Sequence, residues 1–311
     1  MRNVTFRQLQ IFVEASQASS FARAAERLRI SPAAVSFQIK QIEDLSGFSL
    51  FERIGKKVAL TDAGTALLAY ARTALQALAD ADQAMTALRG GGGGRVTIGA
   101  ISTAKYLVPH MLARFQGSYP SVAIHLRDGN RREINDALAR GEIELAVMGR
   151  PAESSDLVAT PFADHPSVVV AAPGHPLLSA LAEMPPAALA GERFIVREDG
   201  SGTRALLDQM CRDAGFSPRL AMTTSSNETI KQAVMAGMGI ALISRHTIVL
   251  ELALGLLRTL PVAGFPLMRA WFVAHRRAMP LLPVHTRLRA FLLERGQEVI
   301  DSLERSYRPG G

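Results

Sequence analysis

An all-α head joined to a larger α/β body is the fold class that this sequence predicts, and three observations predict it. Residues 20–64 carry two short helical patterns separated by a two-residue turn. Residues 61–89 hold one unbroken helical period. Beyond the five consecutive glycines Gly90 to Gly94, short apolar runs alternate with helical patterns, the rhythm of a parallel α/β sheet.

The first helix of the head is marked by Ser20, a capping residue ahead of Phe21, Ala24, Ala25 and Leu28 at helical spacing. Only Arg29 and Ile30 separate it from a second helix. That helix opens at Ser31-Pro32, a cap followed by proline at the first helical position, runs from about Pro32 to Leu45, and ends at Gly47 as a left-handed C-cap. So short a link makes the two helices cross steeply, the helix-turn-helix geometry that lays the second helix in a major groove. Val35, Ile39 and Ile42 form its buried stripe. Ser31, Pro32, Ala33, Ser36, Phe37 and Lys40 remain to offer hydroxyls, small or apolar groups and a cation to bases and phosphates. Arg53, Lys56 and Lys57 surround Gly55 in a short hairpin, or wing, between Phe51 and Leu60, which brings charge to the flanking backbone or minor groove. A short amphipathic helical hairpin with exposed cations also occurs in proteins that never touch DNA, so spacing alone leaves both readings open.

Thr61 is placed to cap a helix that continues to about Arg89 with no proline and only Gly64 inside it. Leu67, Ala71, Ala74, Leu78, Ala81, Met85 and Leu88 recur at alternating spacings of four and three, a heptad seam. At roughly 1.5 Å per residue this helix is about 40 Å long, more than a head of that size covers. Packing on the head accounts for its first turns, and the rest is expected to pair with a second copy. The glycine run reads as a flexible joint. A phosphate-binding loop is the alternative, but these glycines precede the strand Arg95 to Ile101 and no P-loop lysine is present. The expected organisation is a DNA-binding head over 1–60, a dimerisation helix over 61–89, a hinge over 90–94 and a ligand-binding body over 95–311.

In the body the strands VTIGAI, VAIHL and IELAVMG alternate with helices through Leu112 to Phe115 and from about Arg132 to Arg140. A second set begins near Ser167 with VVVAA and continues through RFIV, a helix from Thr203 to Ala214, LAMTT, a helix from Asn227 to Ala236, and IALIS. RAWFVAH and a helix from about Val284 to Leu303 close the domain. Ligands of such folds lie outside the carboxyl ends of the strands, near helix N-termini. Two junctions stand there: Ser102-Thr103 followed by Lys105, and Gly200-Ser201-Gly202-Thr203-Arg204. Both offer hydroxyls and amides beside a cation, as a carboxylate or phosphate requires. Helix capping with a glycine turn explains the same residues, and from the residues alone it is the plainer reading. A third opening, Ser225-Ser226-Asn227, is placed to cap a helix and is expected to face the same cleft.

The run FARAAERLRISPAAVSFQIKQIEDLSGFSLFERIGKKVALTDAG closely resembles the winged helix-turn-helix signature of LysR-type transcriptional regulators. The resemblance includes the AVS of the second helix, Leu50-Phe51 with Arg53, and Leu60-Thr61 followed by Ala63-Gly64. It extends over essentially the whole chain. Phe37 departs from it, standing where many relatives carry a polar or basic residue. The resemblance implies duplex promoter DNA as partner, a homodimer or homotetramer, RNA polymerase as a further partner, and a small anionic metabolite as effector. It also implies a two-lobed, periplasmic-binding-protein-like sensor, with lobe I over about 95–161 and 265–311, lobe II over about 162–264, and crossing strands near Pro161 and Phe265. STAKYLVPHMLARF, GNRREINDALARGEIELAVMGRP and VREDGSGTR resemble the branch that controls the Calvin-cycle CO2-fixation operon. For that branch the implied effector is a sugar phosphate, a phosphoglycolate-like acid or a nucleotide.

Composition agrees and excludes other classes. With 311 residues, 48% hydrophobic and 20% charged, the chain is long enough for two or three compact units. Its net charge of +7 favours a polyanionic partner. Residues 1–89 hold 11 Lys+Arg against 8 Asp+Glu, and residues 95–311 hold 24 against 20, so DNA affinity must come from local placement and not from a basic tail. Cys211 is alone, which excludes a disulfide framework and a paired-cysteine zinc site and fits a reducing cytoplasm. The seven histidines lack metal-ligand spacing, and neither GxSxG nor GxGxxG follows a strand; no catalytic site, metal or cofactor is expected. No apolar signal core opens the chain, and Ile248 to Leu257 is short and contains Glu251, so neither a membrane span nor a transport-type binding protein is expected.

Overall fold

In the computed structural model, which describes residues 3–18, 20–54, 57–88, 93–151, 156–179 and 182–307, contacts divide the chain into units Met1–Arg89 and Gly90–Gly311. The first unit begins with α1 (Phe6–Ala18), a helix outside the sequence expectations. Its start is a reciprocal cap: Gln8 N–H donates to Thr5 Oγ1 at 3.2 Å and Thr5 N–H to Gln8 Oε1 at 2.8 Å. α2 (Phe21–Leu28) and α3 (Pro32–Ser46) follow. Ile11, Phe12 and Ala15 of α1, Ala24 and Ala25 of α2, and Val35, Ile39 and Ile42 of α3 meet in one core.

Each junction has a chemical cause. Arg29 takes the left-handed conformation at φ 56° to turn the chain, Ser31 Oγ accepts from Ala34 N–H at 3.1 Å, and Gly47 ends α3 at φ 74°. Ser20 corrects the expectation of a side-chain cap. Its carbonyl takes the Ala24 N–H at 3.1 Å, but its hydroxyl makes no cap hydrogen bond. Strands β1 (Phe51–Ile54) and β2 (Lys57–Leu60) pair antiparallel as the wing. Its root is fastened by Phe51, whose ring meets the edges of Phe12 and Phe21. Glu43 Oε1 also accepts from Leu50 N–H at 2.7 Å.

Thr61 caps α4 (Asp62–Leu88), its Oγ1 accepting from Gly64 N–H at 3.0 Å while donating to Ser49 O at 2.7 Å. Gly64 is there because a Cβ would lie 2.1 Å from Leu50 O. The proposed seam divides along this helix. Ala71, 1% exposed, belongs to the head core and Leu67 packs against that core, which removes Ala71 from any partner-facing stripe. Ala74 is half-buried and Ala81 exposed. Leu78 and Met85 are 48% and 54% exposed, and Leu88 is the last residue of the helix. The hinge glycines 90–92 lie outside the described residues.

The second unit starts with β3 (Gly94–Ile101), α5 (Val108–Ser118), β4 (Val122–Gly129), α6 (Arg131–Ala139) and β5 (Leu145–Met148). The chain then runs along β6 (Leu157–Ala171) into β7 (Arg193–Arg197), α7 (Gly202–Asp213), β8 (Arg219–Thr224), α8 (Asn227–Met235), β9 (Ala241–Ser244), α9 (Val249–Ala253) and β10 (Arg258–Thr259). It returns along β11 (Leu267–Arg276) and ends with α10 (Pro283–Ser306). The main sheet has the order β10-β6-β11-β5-β3-β4 with β9 also on β6.

This sheet is mixed, which corrects the purely parallel expectation. β3 runs parallel to β4 and β5, and β7 parallel to β8, but β11 is antiparallel to β5 and β6, and β9 and β10 are antiparallel to β6. The cause is β6. Its first part pairs with β11 and its last part with β9 and β10, so one strand serves two lobes. Val96, Phe115, Trp271, Leu288 and Leu292 anchor one lobe's core. The other lobe buries two clusters, one under α7 around Phe194 and Leu207, the other under α8 around Ile195 and Ile243.

Candidate functional site

A cavity of about 450 Å³ lies between the lobes, lined by the end of β3, the start of α7 and the strands β6 and β11. Five of the residues singled out in the sequence meet there: Ser102 and Thr103 from one lobe, Ser201, Gly202 and Thr203 from the other. Both readings of Ser201 hold, since its Oγ caps α7 by accepting Thr203 N–H at 3.3 Å while the residue lines the cavity. The lobes touch through Ser102. Arg197 Nη2 donates to its Oγ at 3.0 Å, and Asn227 Nδ2 donates to its carbonyl at 3.1 Å. Asn227 is 2% exposed and is not among the lining residues, so it braces the wall instead of facing a ligand.

Two expected cations are elsewhere. Arg204 Nε donates to both oxygens of Asp208 at 3.0 Å, and the residue does not line the cavity; one turn of α7 separates the two, the spacing at which such pairs form. Lys105 holds its ammonium 5.6 Å from the centre of the Tyr106 ring, away from the cavity lining. Beside it Tyr106 donates to Glu228 of α8 at 2.5 Å, a further bond across the lobes.

The charge comes instead from four arginines that the sequence reading left out: Arg131, Arg150, Arg197 and Arg269. Arg197 is 3% exposed and committed, donating to Glu198 at 2.8 and 3.0 Å and to Asn227 Oδ1 at 2.9 Å. Arg269 donates to Ser167 Oγ at 3.2 Å, and Arg131 to the carbonyl of Arg150. Burial first, and then the nearby Arg131 charge, pulls the Arg269 guanidinium below its ordinary pKa. No carboxylate is among the described lining residues. His165 completes the wall, 1% exposed and stacked on Trp271 with ring centres 3.7 Å apart. Burial, then Arg269 and His246, holds it neutral by lowering its pKa well below the usual value. Like charges gathered in a confined, hydroxyl-lined space are stabilised by an anion, and a phosphate or carboxylate accepts from several such donors at once.

The second candidate surface is on the head. Ser31, the N-cap of α3, and Pro32, Ala33, Ser36, Phe37 and Lys40 on the helix are all exposed, the last four opposite its buried stripe. A bond from Gln8 Nε2 to Gln41 Oε1 at 3.0 Å braces α3 against α1. Arg53 and Lys57 occupy the two wing strands, and Lys56 lies outside the described residues. Among the described residues no group of His, Cys, Asp and Glu is arranged to hold a metal ion.

Two family models match this chain: bacterial regulatory helix-turn-helix protein, lysR family, over residues 6–65, and LysR substrate binding domain, over residues 89–297. The HTH-type transcriptional regulator CfxR of Cupriavidus necator is 44% identical over 100% of this chain and 98% of its own length. The RuBisCO operon transcriptional regulator of Allochromatium vinosum is 39% identical over 94% of this chain and 96% of its own. The regulatory domain of Synechocystis PCC6803 CcmR, solved in complex with 2-PG, superposes with a TM-score of 0.61 at 36% identity, covering 65% of this chain and 96% of that one.

Proposed function

The chain belongs to the family of LysR-type transcriptional regulators, and from that premise we propose that it binds the promoter of a CO2-fixation operon and alters its grip when a small phosphorylated acid fills the body's cavity. As a member of that family it is a DNA-binding regulator and not an enzyme. The observation that carries the effector reading is the trio Arg131, Arg150 and Arg269 around a cavity with no carboxylate among its described lining residues. Ser102, Thr103, Ser201 and Thr203 add hydroxyls for the remaining oxygens. The names of the relatives support the operon, and the ligand of the Synechocystis domain supports the acid.

Duplex contact falls to α3 and the wing, with Ser31, Pro32, Ala33, Ser36, Phe37 and Lys40 in the groove and Arg53, Lys56 and Lys57 toward the flanking backbone. The exposed part of α4 at Leu78, Ala81 and Met85 pairs with the same helix of a second copy, and two such dimers make a tetramer. The regulator works in the cytoplasm, beside its promoter; no helix among the described residues is long and apolar enough to cross a membrane.

Calorimetry on the full-length protein with 2-phosphoglycolate, 3-phosphoglycerate and unphosphorylated glycolate tests the effector. The phosphorylated acids should bind and glycolate should bind far more weakly. Arg269→Ala removes a charge-assisted hydrogen bond, about 2 kcal/mol or roughly thirtyfold in affinity. Arg204→Ala, which removes the pairs with Asp208 and Asp199 and a long bond to the Arg197 carbonyl but no cavity-lining side chain, should leave affinity within about twofold. Equal binding of glycolate removes the preference for a phosphorylated acid, and no effect of Arg269→Ala removes the anion site from this cavity.

A further inference from the structure

The side of α3 turned away from the head core is small and polar except at one residue. Ala33, Ser36, Phe37 and Lys40 fall within one arc of about 100° on the helix, opposite the buried Val35, Ile39 and Ile42. Phe37 is 58% exposed within that arc. Phe48 is exposed too, at 65%, but it follows Gly47 beyond the end of the helix. In helix-turn-helix docking the N-terminal part of the second helix meets the bases, and Phe37 stands there.

A duplex keeps its bases stacked and shows the major groove only their edges. Those edges carry polar nitrogen and oxygen atoms at every base pair and one apolar group, the C5 methyl of thymine. A phenyl ring set over a polar edge displaces its water and supplies no hydrogen bond in return, which disfavours that base. Set over the methyl, the ring and the methyl leave water together. We propose that Phe37 is a specificity-determining residue that reads one thymine methyl in each half-site, while Ser36 and Lys40 beside it serve polar and phosphate contacts. This inference rests on the DNA-binding reading above.

The experiment begins with the full-length protein and a random duplex library, from which the bound sequence is enriched. The enriched duplex is then resynthesised with each thymine replaced singly by deoxyuridine, which removes the methyl and keeps every hydrogen-bonding atom. At one thymine per half-site the wild type should lose about fourfold in affinity, the worth of one buried methyl group at about 0.8 kcal/mol. Phe37→Ala should bind the thymine and deoxyuridine forms of that position equally. Phe37→Leu keeps an apolar contact and should retain most of the discrimination, which separates loss of methyl reading from loss of folding.

The inference is overturned if no thymine shows a methyl effect that depends on residue 37, or if the enriched site contains no thymine under the helix. Failure to enrich any duplex overturns the DNA-binding reading as well, and so is distinguishable from failure of the methyl contact alone.

Discussion

His246 shows how a single residue ties the sensor's stability to pH. Its Nδ1 accepts the Trp271 indole N–H at 3.1 Å, which leaves the ring proton on Nε2, 3.6 Å from Glu304. Burial, reinforced by Arg245, outweighs the Asp301 carboxylate and lowers the pKa from 6.5 to about 4. Adding the second proton takes away the acceptor that Trp271 needs. The unfolded chain takes up this proton as pH falls through 6.5, while the folded chain refuses it until about 4. The stabilising contribution is therefore complete above pH 6.5 and is lost between there and pH 4, by up to about 3 kcal/mol. Urea midpoints at about pH 7 and pH 5 should show that loss in the wild type and a smaller one in His246→Gln; equal slopes would assign the acid sensitivity to other groups. The same scale explains why the arginines went unread. Arg131, Arg150, Arg197 and Arg269 are scattered along the chain, and each alone reads as a solvated charge. Only the fold makes them neighbours.

At the scale of elements, local chemistry was legible where it is self-contained. α3 announces itself by Ser31-Pro32, a 3-4 apolar stripe and Gly47, and its bounds differ from the expected ones by a single residue. The signal for α1 was also present, as Thr5-x-x-Gln8 ahead of Ile11, Phe12 and Ala15, but it uses Gln where an acidic residue is the more familiar cue. Strand direction is not local. Periodicity marks β6 and β11 as strands, and only their pairing shows that β11 runs against both β6 and β5. Close approach between elements is likewise invisible beforehand, as at Gly64, where α4 meets the chain entering β1. Gly64→Ala should destabilise the head by about 1 to 3 kcal/mol, because backbone at Leu50 must move to admit the methyl. In α5, Gly117 has nothing within 4 Å of an added Cβ, and Gly117→Ala should be neutral or stabilising by up to about 1 kcal/mol. Thermal unfolding of the two variants compares them directly, and a Gly64→Ala protein as stable as the wild type would contradict the packing described.

For the whole molecule, the seam proposed on α4 is the link between two copies. Its first positions were misassigned in part because a heptad cannot say which partner it serves: Ala71 is consumed by the head, while Leu78 and Met85 remain exposed. Leu78→Arg places an unpaired charge where a second helix would bury it. Operator affinity should then fall by more than about a hundredfold as the two half-sites lose their linkage, and light scattering should report monomers. A variant that stays dimeric would relocate the interface. Arg131, Arg150 and Arg269 line the cavity with no carboxylate among the described lining residues. In the proposed reading, chloride and inorganic phosphate compete inside a cell for the same guanidiniums, so an effector's apparent dissociation constant is multiplied by one plus the summed ratios of each competitor's concentration to its own dissociation constant. A regulator built this way reports the effector's share of the small-anion pool, and a rise in inorganic phosphate registers at the promoter as a fall in the effector.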